Sequence, residues 1–311
     1  MPLPAASAPA VHRNNAKGRL RGTIITLTTV CILSKGNAGD NEVEAIEIDL
    51  LLEAVARAFG YDFRNYGRAS VARRIRGFLR AEGLPDISSA QARVLHEPAS
   101  FHRLLSALTV SVTSMFRDPD FFLALRTELV PMLRTYPFLR IWCAGCATGE
   151  EVYSLAILLR EEDLYRRSRI YATDLVEGTL QKARDGVFSA QLVPEYERNY
   201  RKAGGHRSLE DYYTKSYDHI VFRPELKQQI VFAQHSLVSD GVFNEFHLIL
   251  CRNVMIYFDR TLQDRVHKLI YDSLVPLGFL GLGNRESVKL TPYENHYVPV
   301  AGRQKIFKKV F

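Results

Sequence analysis

Residues 139–154 read L-R-I-W-C-A-G-C-A-T-G-E-E-V-Y-S. Leu139, Ile141 and Trp142 suit a buried strand, while Val152, Leu155, Ala156 and Leu159 recur at the i, i+3, i+4, i+7 spacing of an amphipathic helix. Between them, Gly145 and Gly149 let the backbone bend sharply and approach a ligand where a Cβ would collide. A strand, a glycine turn and a helix in this order make the ligand loop of a nucleotide-type α/β unit.

The details of the loop narrow the ligand. A dinucleotide site favours G-x-G-x-x-G feeding a bare helix N-terminus, whose positive dipole end attracts a pyrophosphate. Here Glu150 and Glu151 occupy the helix start. They stabilise the helix dipole, repel phosphate, and suit ribose hydroxyls or a cation. The next predicted strand, 169–173, runs into Asp174, and an acid at that strand end typically bonds a ribose. The expected ligand therefore carries a ribose and no phosphate, which S-adenosylmethionine satisfies with its positive sulfonium. A mere helix-capping turn, the bland alternative, leaves the strand-end acid unexplained.

Downstream, strands and helices alternate at 139–144, 151–160, 169–173, 175–184, 230–234, 247–251, 262–274 and 278–283. That rhythm predicts an α/β fold, a Rossmann-like parallel sheet with helices on both faces. Residues 186–229 interrupt it with many tyrosines, Gly204-Gly205 and short β-like runs, and read as a small inserted β-containing subdomain. The expected organisation is an N-terminal extension over 1–40, a helical domain over 41–112 and a ligand-binding domain over 113–311.

Upstream, Ile48, Leu51, Leu52, Val55 and Phe59 share one face of a helix over 47–59 that Gly60 ends. A second helix over 69–80 can bury Val71, Ile75, Phe78 and Leu79 while Arg68, Arg73, Arg74, Arg76 and Arg80 project elsewhere, with Glu82 as the nearby acid. Such a run is either a solvated face or a docking face for an acidic partner. After a helix over 101–108, Asp118 reads as an N-cap and Pro119 as the first residue of a helix over 121–133, with 113–117 presented at its start.

The whole chain has 311 residues, 47% hydrophobic and 24% charged, ordinary for a globular protein that can bury a sizeable core. A net charge of +7 favours acidic partners without choosing among them. Four cysteines, Cys31, Cys143, Cys146 and Cys251, are too few for a disulfide scaffold and suit a reducing cytoplasm. Cys143 and Cys146 form one C-x-x-C without a second pair or a flanking histidine, so no metal is expected and small residues filling a tight loop is the better reading. The apolar stretch 23–33 is too short to span a bilayer, and its long polar lead-in argues against a signal peptide.

Several blocks in order resemble the chemotaxis receptor methyltransferases, the CheR-type enzymes that methylate receptor glutamates with S-adenosylmethionine. They are Y-D-F-R-N-Y-G-R-A-S-V-A-R-R-I-R at 61–76, T-S-M-F-R-D at 113–118, W-C-A-G-C-A-T-G-E-E-V-Y-S at 142–154, A-T-D at 172–174 and C-R-N-V-M-I-Y-F at 251–258. The resemblance implies a class I methyltransferase sheet, S-adenosylmethionine as cofactor with S-adenosylhomocysteine as product, and glutamate-bearing receptor helices as substrate. It implies cofactor contacts from Ser111, Thr113, Arg117, Glu151, Asp174, Ser236, Leu237, Arg252 and Asn253, with Arg117 and Tyr257 catalytic. Ser111 and Ser236 depart from the pattern, standing where many members carry Asn. The five arginines become a substrate-docking face, and in some members the inserted subdomain binds a receptor's C-terminal peptide by strand addition. A monomer without stable membrane insertion is expected.

The chemistry can be argued independently. A Glu side chain, with an ordinary pKa of about 4.3, is already ionised at neutral pH, so the acceptor needs no general base and no essential His or Cys is expected. Alignment and exclusion of water must do most of the work. The competing reading is a methyltransferase-fold module that binds S-adenosylmethionine as a sensor or scaffold without methylating a receptor. A nucleic-acid methyltransferase is disfavoured, because no acidic-Pro-Pro-aromatic motif or stacking platform is evident.

Overall fold

The computed structural model describes residues 40–110 and 112–310; Ser111, Cys31 and the apolar stretch 23–33 lie outside the described residues. Four helices, α1 (Asp40–Phe59), α2 (Arg68–Glu82), α3 (Ile87–His96) and α4 (Pro98–Leu108), form an all-α N-terminal domain. Its core takes Leu51, Leu52 and Val55 from α1 and Val71, Ile75 and Phe78 from α2, the faces that helical spacing marks for burial. Helix α1 starts seven residues before the sequence-predicted position 47. Helix α3 is new to the structure: its polar Ser-Ser-Ala-Gln run hides the period, and its start signal is Asp86, whose carboxylate accepts the Ser89 N–H at 2.7 Å.

The helix expected over 121–133 is broken. α5 (Pro119–Ala124) and α6 (Val130–Leu133) flank a π turn at Leu125–Leu129. Pro131 has no N–H and its ring crowds the carbonyl four residues earlier, so the wider turn accommodates it. Asp118 does not cap α5, contrary to expectation. Its backbone lies at φ 55° and its side chain makes no cap bond, because Arg252 binds the carboxylate at 2.8 Å.

The remaining chain runs β1 (Leu139–Ala144), α7 (Glu150–Glu161), β2 (Ser168–Asp174), α8 (Glu177–Asp185), an insert of β3 (Val187–Ser189), α9 (Val193–Lys202), β4 (Tyr213–Ser216) and β5 (His219–Phe222), then β6 (Ile230–Gln234), β7 (Phe246–Cys251), α10 (Arg260–Ser273), β8 (Leu274–Leu282), β9 (Tyr297–Ala301) and β10 (Ile306–Lys309). The seven main strands lie in the order β6-β2-β1-β7-β8-β10-β9, and the insert forms a separate antiparallel sheet, β3-β5-β4. From β6 to β8 the sheet is parallel, as the alternation predicts, but β10 runs antiparallel to both β8 and β9. Residues 302–305 join β9 to β10, a connection that permits a hairpin and no crossover.

Both faces of the sheet are covered. Val152, Leu155 and Leu159 of α7 pack in one cluster, and Val266, Leu269 and Ile270 of α10 in another. Trp142 is fully buried between layers and its indole N–H donates to Thr173 Oγ1 at 2.8 Å, tying β1 to β2. From β1 the chain moves outward through β2 and β6, then returns to β7 on the other side of β1. This reversal opens a crevice at the C-terminal strand ends, where open α/β sheets hold ligands. The helical domain abuts that edge: Gly67 N–H donates to the Tyr257 carbonyl at 2.7 Å, and Tyr66 bridges to Phe258. No helix among the described residues is long and apolar enough to cross a membrane.

Candidate active site

The glycine turn after β1 is built as its sequence requires. Gly145 lies at φ 71°, and a Cβ there would fall 2.6 Å from the Val254 side chain; Gly149, at φ 96°, starts α7. Asp174 ends β2 beside this turn. Its carboxylate accepts Ala147 N–H at 2.8 Å and Val176 N–H at 3.2 Å, and burial pushes its carboxyl above the usual range against the pull of those bonds. The two helix-start acids diverge. Glu150 turns inward, is buried, accepts Thr148 Oγ1 at 2.6 Å, and is raised by desolvation, whereas Glu151 faces the crevice.

Glu151 is not a free anion. Arg252, at the end of β7, places Nη1 2.6 Å from Glu151 and Nη2 2.8 Å from Asp118, while Nη2 also donates to the Arg117 carbonyl at 3.2 Å. The guanidinium lies 3.9 Å from the Phe121 ring centroid, its side chain is 1% exposed, and its Nε has no partner among the described residues. One arginine thus ties the β7 end to the start of α7 and to the loop before α5. That loop is itself tightly turned, with Phe116 at φ 50° and Asp118 at φ 55°, and Phe116 N–H is held by Ser154 Oγ at 2.8 Å.

The crevice spans about 970 Å³ together with the solvent it opens to. Thr113, Arg117, Glu151 and Asp174 line it together with Ser236, Leu237, Arg252, Asn253 and Tyr257, so the described cofactor and catalytic candidates converge from five separate segments. The Arg117 side chain is half-exposed and has no hydrogen bond or ion pair among the described residues. Leu175, Val238 and Phe258 supply apolar wall, and Cys146 adds a buried thiol that burial raises well above its usual range.

The five docking arginines separate. Arg74 leaves the solvent face: its guanidinium stands 4.8 Å over the Tyr257 ring, donates to the Leu108 carbonyl, and lines the crevice, where burial lowers its pKa. Arg76 makes a bidentate pair with Glu44 and Arg68 pairs with Asp49, both acids of α1. Glu82, expected to offset the cluster, binds Arg93 and Arg103 instead. Arg73 and Arg80 stay exposed without an ion pair among the described residues. They separate because each meets a different neighbour, Tyr257, the Leu108 carbonyl or an acid of α1, which the helical period of α2 alone does not show.

Two further residues at this edge went unread. His235 lines the crevice, with Nε2 3.1 Å from the Gly241 carbonyl and Nδ1 lacking a partner among the described residues. Glu286 is buried behind the 253–255 turn, and the one signal for it is an acid set directly after an apolar strand, in G-N-R-E at 283–286.

Comparison with known proteins assigns matches to both parts of the chain. Residues 46–109 match the family model of the CheR methyltransferase all-alpha domain, and residues 111–303 that of the CheR methyltransferase SAM-binding domain. The chain is 50% identical over 264 residues to Cher3 of Pseudomonas putida, provisionally named a methyltransferase, spanning 85% of this chain and 97% of that protein. It is 29% identical over 249 residues to the chemotaxis protein methyltransferase of Salmonella typhimurium, spanning 76% and 82%. Among solved structures, the N-methyltransferase NodS of Bradyrhizobium japonicum, in complex with S-adenosylhomocysteine, aligns at 15% identity over 54% of this chain and 62% of that one, with a TM-score of 0.31.

Proposed function

The chain belongs to the CheR methyltransferase family and carries its S-adenosylmethionine-binding domain, and from that premise we propose that it methylates glutamate side chains on a chemoreceptor or a related signalling protein. The observation that carries the reading is the meeting, in one crevice, of the strand-end acid Asp174, Arg117, whose side chain has no partner among the described residues, and Tyr257.

The residues present suit the cofactor. Asp174 keeps lone pairs beyond its two backbone bonds, enough for ribose hydroxyls, and Leu175, Leu237 and Val238 offer an apolar wall to a purine. Arg117, whose side chain has no partner among the described residues, can take a carboxylate as a fork, and Thr113 and Asn253 add polar groups to the crevice lining. When bound, S-adenosylmethionine supplies a methyl group made electrophilic by its sulfonium.

The acceptor carboxylate arrives ionised, so the chain needs no base. Its task is to hold the carboxylate in line and keep it from water. Tyr257 offers a hydroxyl to the crevice, Arg74 covers the Tyr257 ring from the helical domain, and Thr109, Val110, Val112 and Thr113 add to the lining. Arg73 and Arg80, exposed on α2 and without an ion pair among the described residues, can meet acidic side chains of a helical substrate.

Incubation of the chain with methyl-labelled S-adenosylmethionine and membranes bearing chemoreceptors, followed by mild base, tests this. Label released as methanol establishes a carboxyl methyl ester. Base-stable label points to another nucleophile, and cofactor binding without transfer would overturn the receptor reading in favour of a sensor or scaffold.

A further inference from the structure

Behind the wall of the crevice, four backbone N–H groups converge on one buried carboxylate. Glu286 Oε2 accepts from Asn253 at 2.9 Å and Gly283 at 2.7 Å, and its Oε1 accepts from Val254 at 2.9 Å and Met255 at 2.8 Å. Three of the donors are consecutive residues of the turn that follows β7. Such a turn leaves its N–H groups without ladder partners, and Asn253 lies at φ 61°, the left-handed region that Asn adopts more readily than other residues with a Cβ. The geometry on the Glu286 side is equally close: a Cβ on Gly283 would fall 2.7 Å from Oε2 and 2.8 Å from Asn253 N. Residue 283 must be glycine for the carboxylate to reach.

What the turn carries gives the arrangement its meaning. Val254 is the side chain against which the Gly145 loop is fitted. Asn253 and Tyr257 line the crevice, and the Tyr257 carbonyl takes the Gly67 N–H that joins the helical domain to this edge. A carboxylate is the side chain whose four lone-pair sites match four inward N–H groups; an amide would turn two hydrogens toward them. We propose that Glu286 is a positioning residue, an anion clamp that fixes the 253–257 turn and through it the cofactor loop and the mouth of the site. It rests on the methyl-transfer reading for its turnover measurement alone.

The test uses the full chain with S-adenosylhomocysteine as probe, comparing Glu286→Gln and Glu286→Asp with the parent. Titration calorimetry should show affinity for the probe falling about tenfold or more in Glu286→Gln, the scale of losing a charge-assisted network. Amide exchange should accelerate at 253–255 while amides of β7 keep their protection. Glu286→Asp retains the charge on a shorter arm, so it should recover part of the affinity and still leave part of the turn in faster exchange; if the Gln variant does not fold, this variant carries the test. In transfer assays, kcat should fall with KM for the protein substrate unchanged. Parental affinity with parental exchange at 253–255 would overturn the proposal, and so would a uniform loss of protection across the sheet, which marks a purely structural role. If the parent itself transfers no methyl to receptors, the proposed function fails while the binding and exchange results still judge the clamp.

Discussion

Arg74 of α2 stands 4.8 Å over the ring of Tyr257, and both line the crevice at the strand ends, so a side chain of the helical domain forms part of the candidate site of the other domain. Half-burial lowers the Arg74 pKa, and a cation held over an aromatic face is worth about 0.5–1 kcal/mol or more once desolvated. Arg74→Ala is expected to leave S-adenosylhomocysteine affinity within about twofold while lowering transfer about tenfold, a drop of roughly 1.4 kcal/mol in transition-state stabilisation. Arg74→Lys should recover little, because a point charge does not stack as the planar guanidinium does. Equal losses of binding and turnover would place Arg74 in cofactor binding instead.

Arg252 offers a different test. It bridges Glu151 and Asp118 from a nearly fully buried position, and removing it leaves two carboxylates facing each other. Arg252→Ala is expected to cost about 3 kcal/mol of unfolding free energy, the low end for a broken buried pair because both acids keep some solvent contact. Denaturant unfolding measures it directly. A loss below about 1 kcal/mol would show that the triad contributes little to holding these three segments.

Asp174 and Arg117 should separate binding from turnover. Asp174→Ala removes the strand-end acid and should abolish measurable binding of S-adenosylhomocysteine by calorimetry. Arg117→Ala removes a side chain with no protein partner among the described residues, so unfolding should shift by less than about 0.5 kcal/mol while transfer drops sharply. Parental rates in both variants would sink the site assignment.

How far the sequence foretold this architecture varies with the kind of information each segment carries. β1 lies where its apolar run places it, because a buried parallel strand has a continuous apolar signature, and β6, a half-exposed edge strand, occupies the span its short apolar run marks. Asp174 and Gly145 were legible because their roles are local, a strand end and a tight turn. The hairpin of β9 and β10 was not, since its short strands mix Pro, Lys and apolar residues and β10 depends on β8 for its second partner. Asp118 illustrates the same limit at the site. Its Asp-Pro context favours a cap, yet an arginine 134 residues further along the chain offers a stronger partner than two backbone N–H groups. Glu286 and the splitting of the α2 arginines are likewise tertiary facts, set by which groups the fold brings within hydrogen-bonding reach.

His267 on α10 predicts an acid sensitivity that belongs to the scaffold alone. It is buried, with Nδ1 unpartnered among the described residues, and burial brings its pKa down from 6.5 to about 4. The folded state therefore holds the ring neutral through a range in which the unfolded chain protonates it. Between pH 6.5 and pH 4 the unfolded state binds more protons, so stability from this residue is fully present above pH 6.5 and is lost as pH falls toward 4. At pH 5 the loss amounts to about 2 kcal/mol relative to pH 7, from the 1.36 kcal/mol that each pKa unit represents. His267→Leu keeps an apolar group of similar bulk and has no proton to take up. Denaturant unfolding at pH 7 and pH 5 should show a pH-dependent loss smaller by about 2 kcal/mol in the variant than in the parent. Identical losses would mean that the ring is solvated in the folded protein and that acid lability arises at other groups.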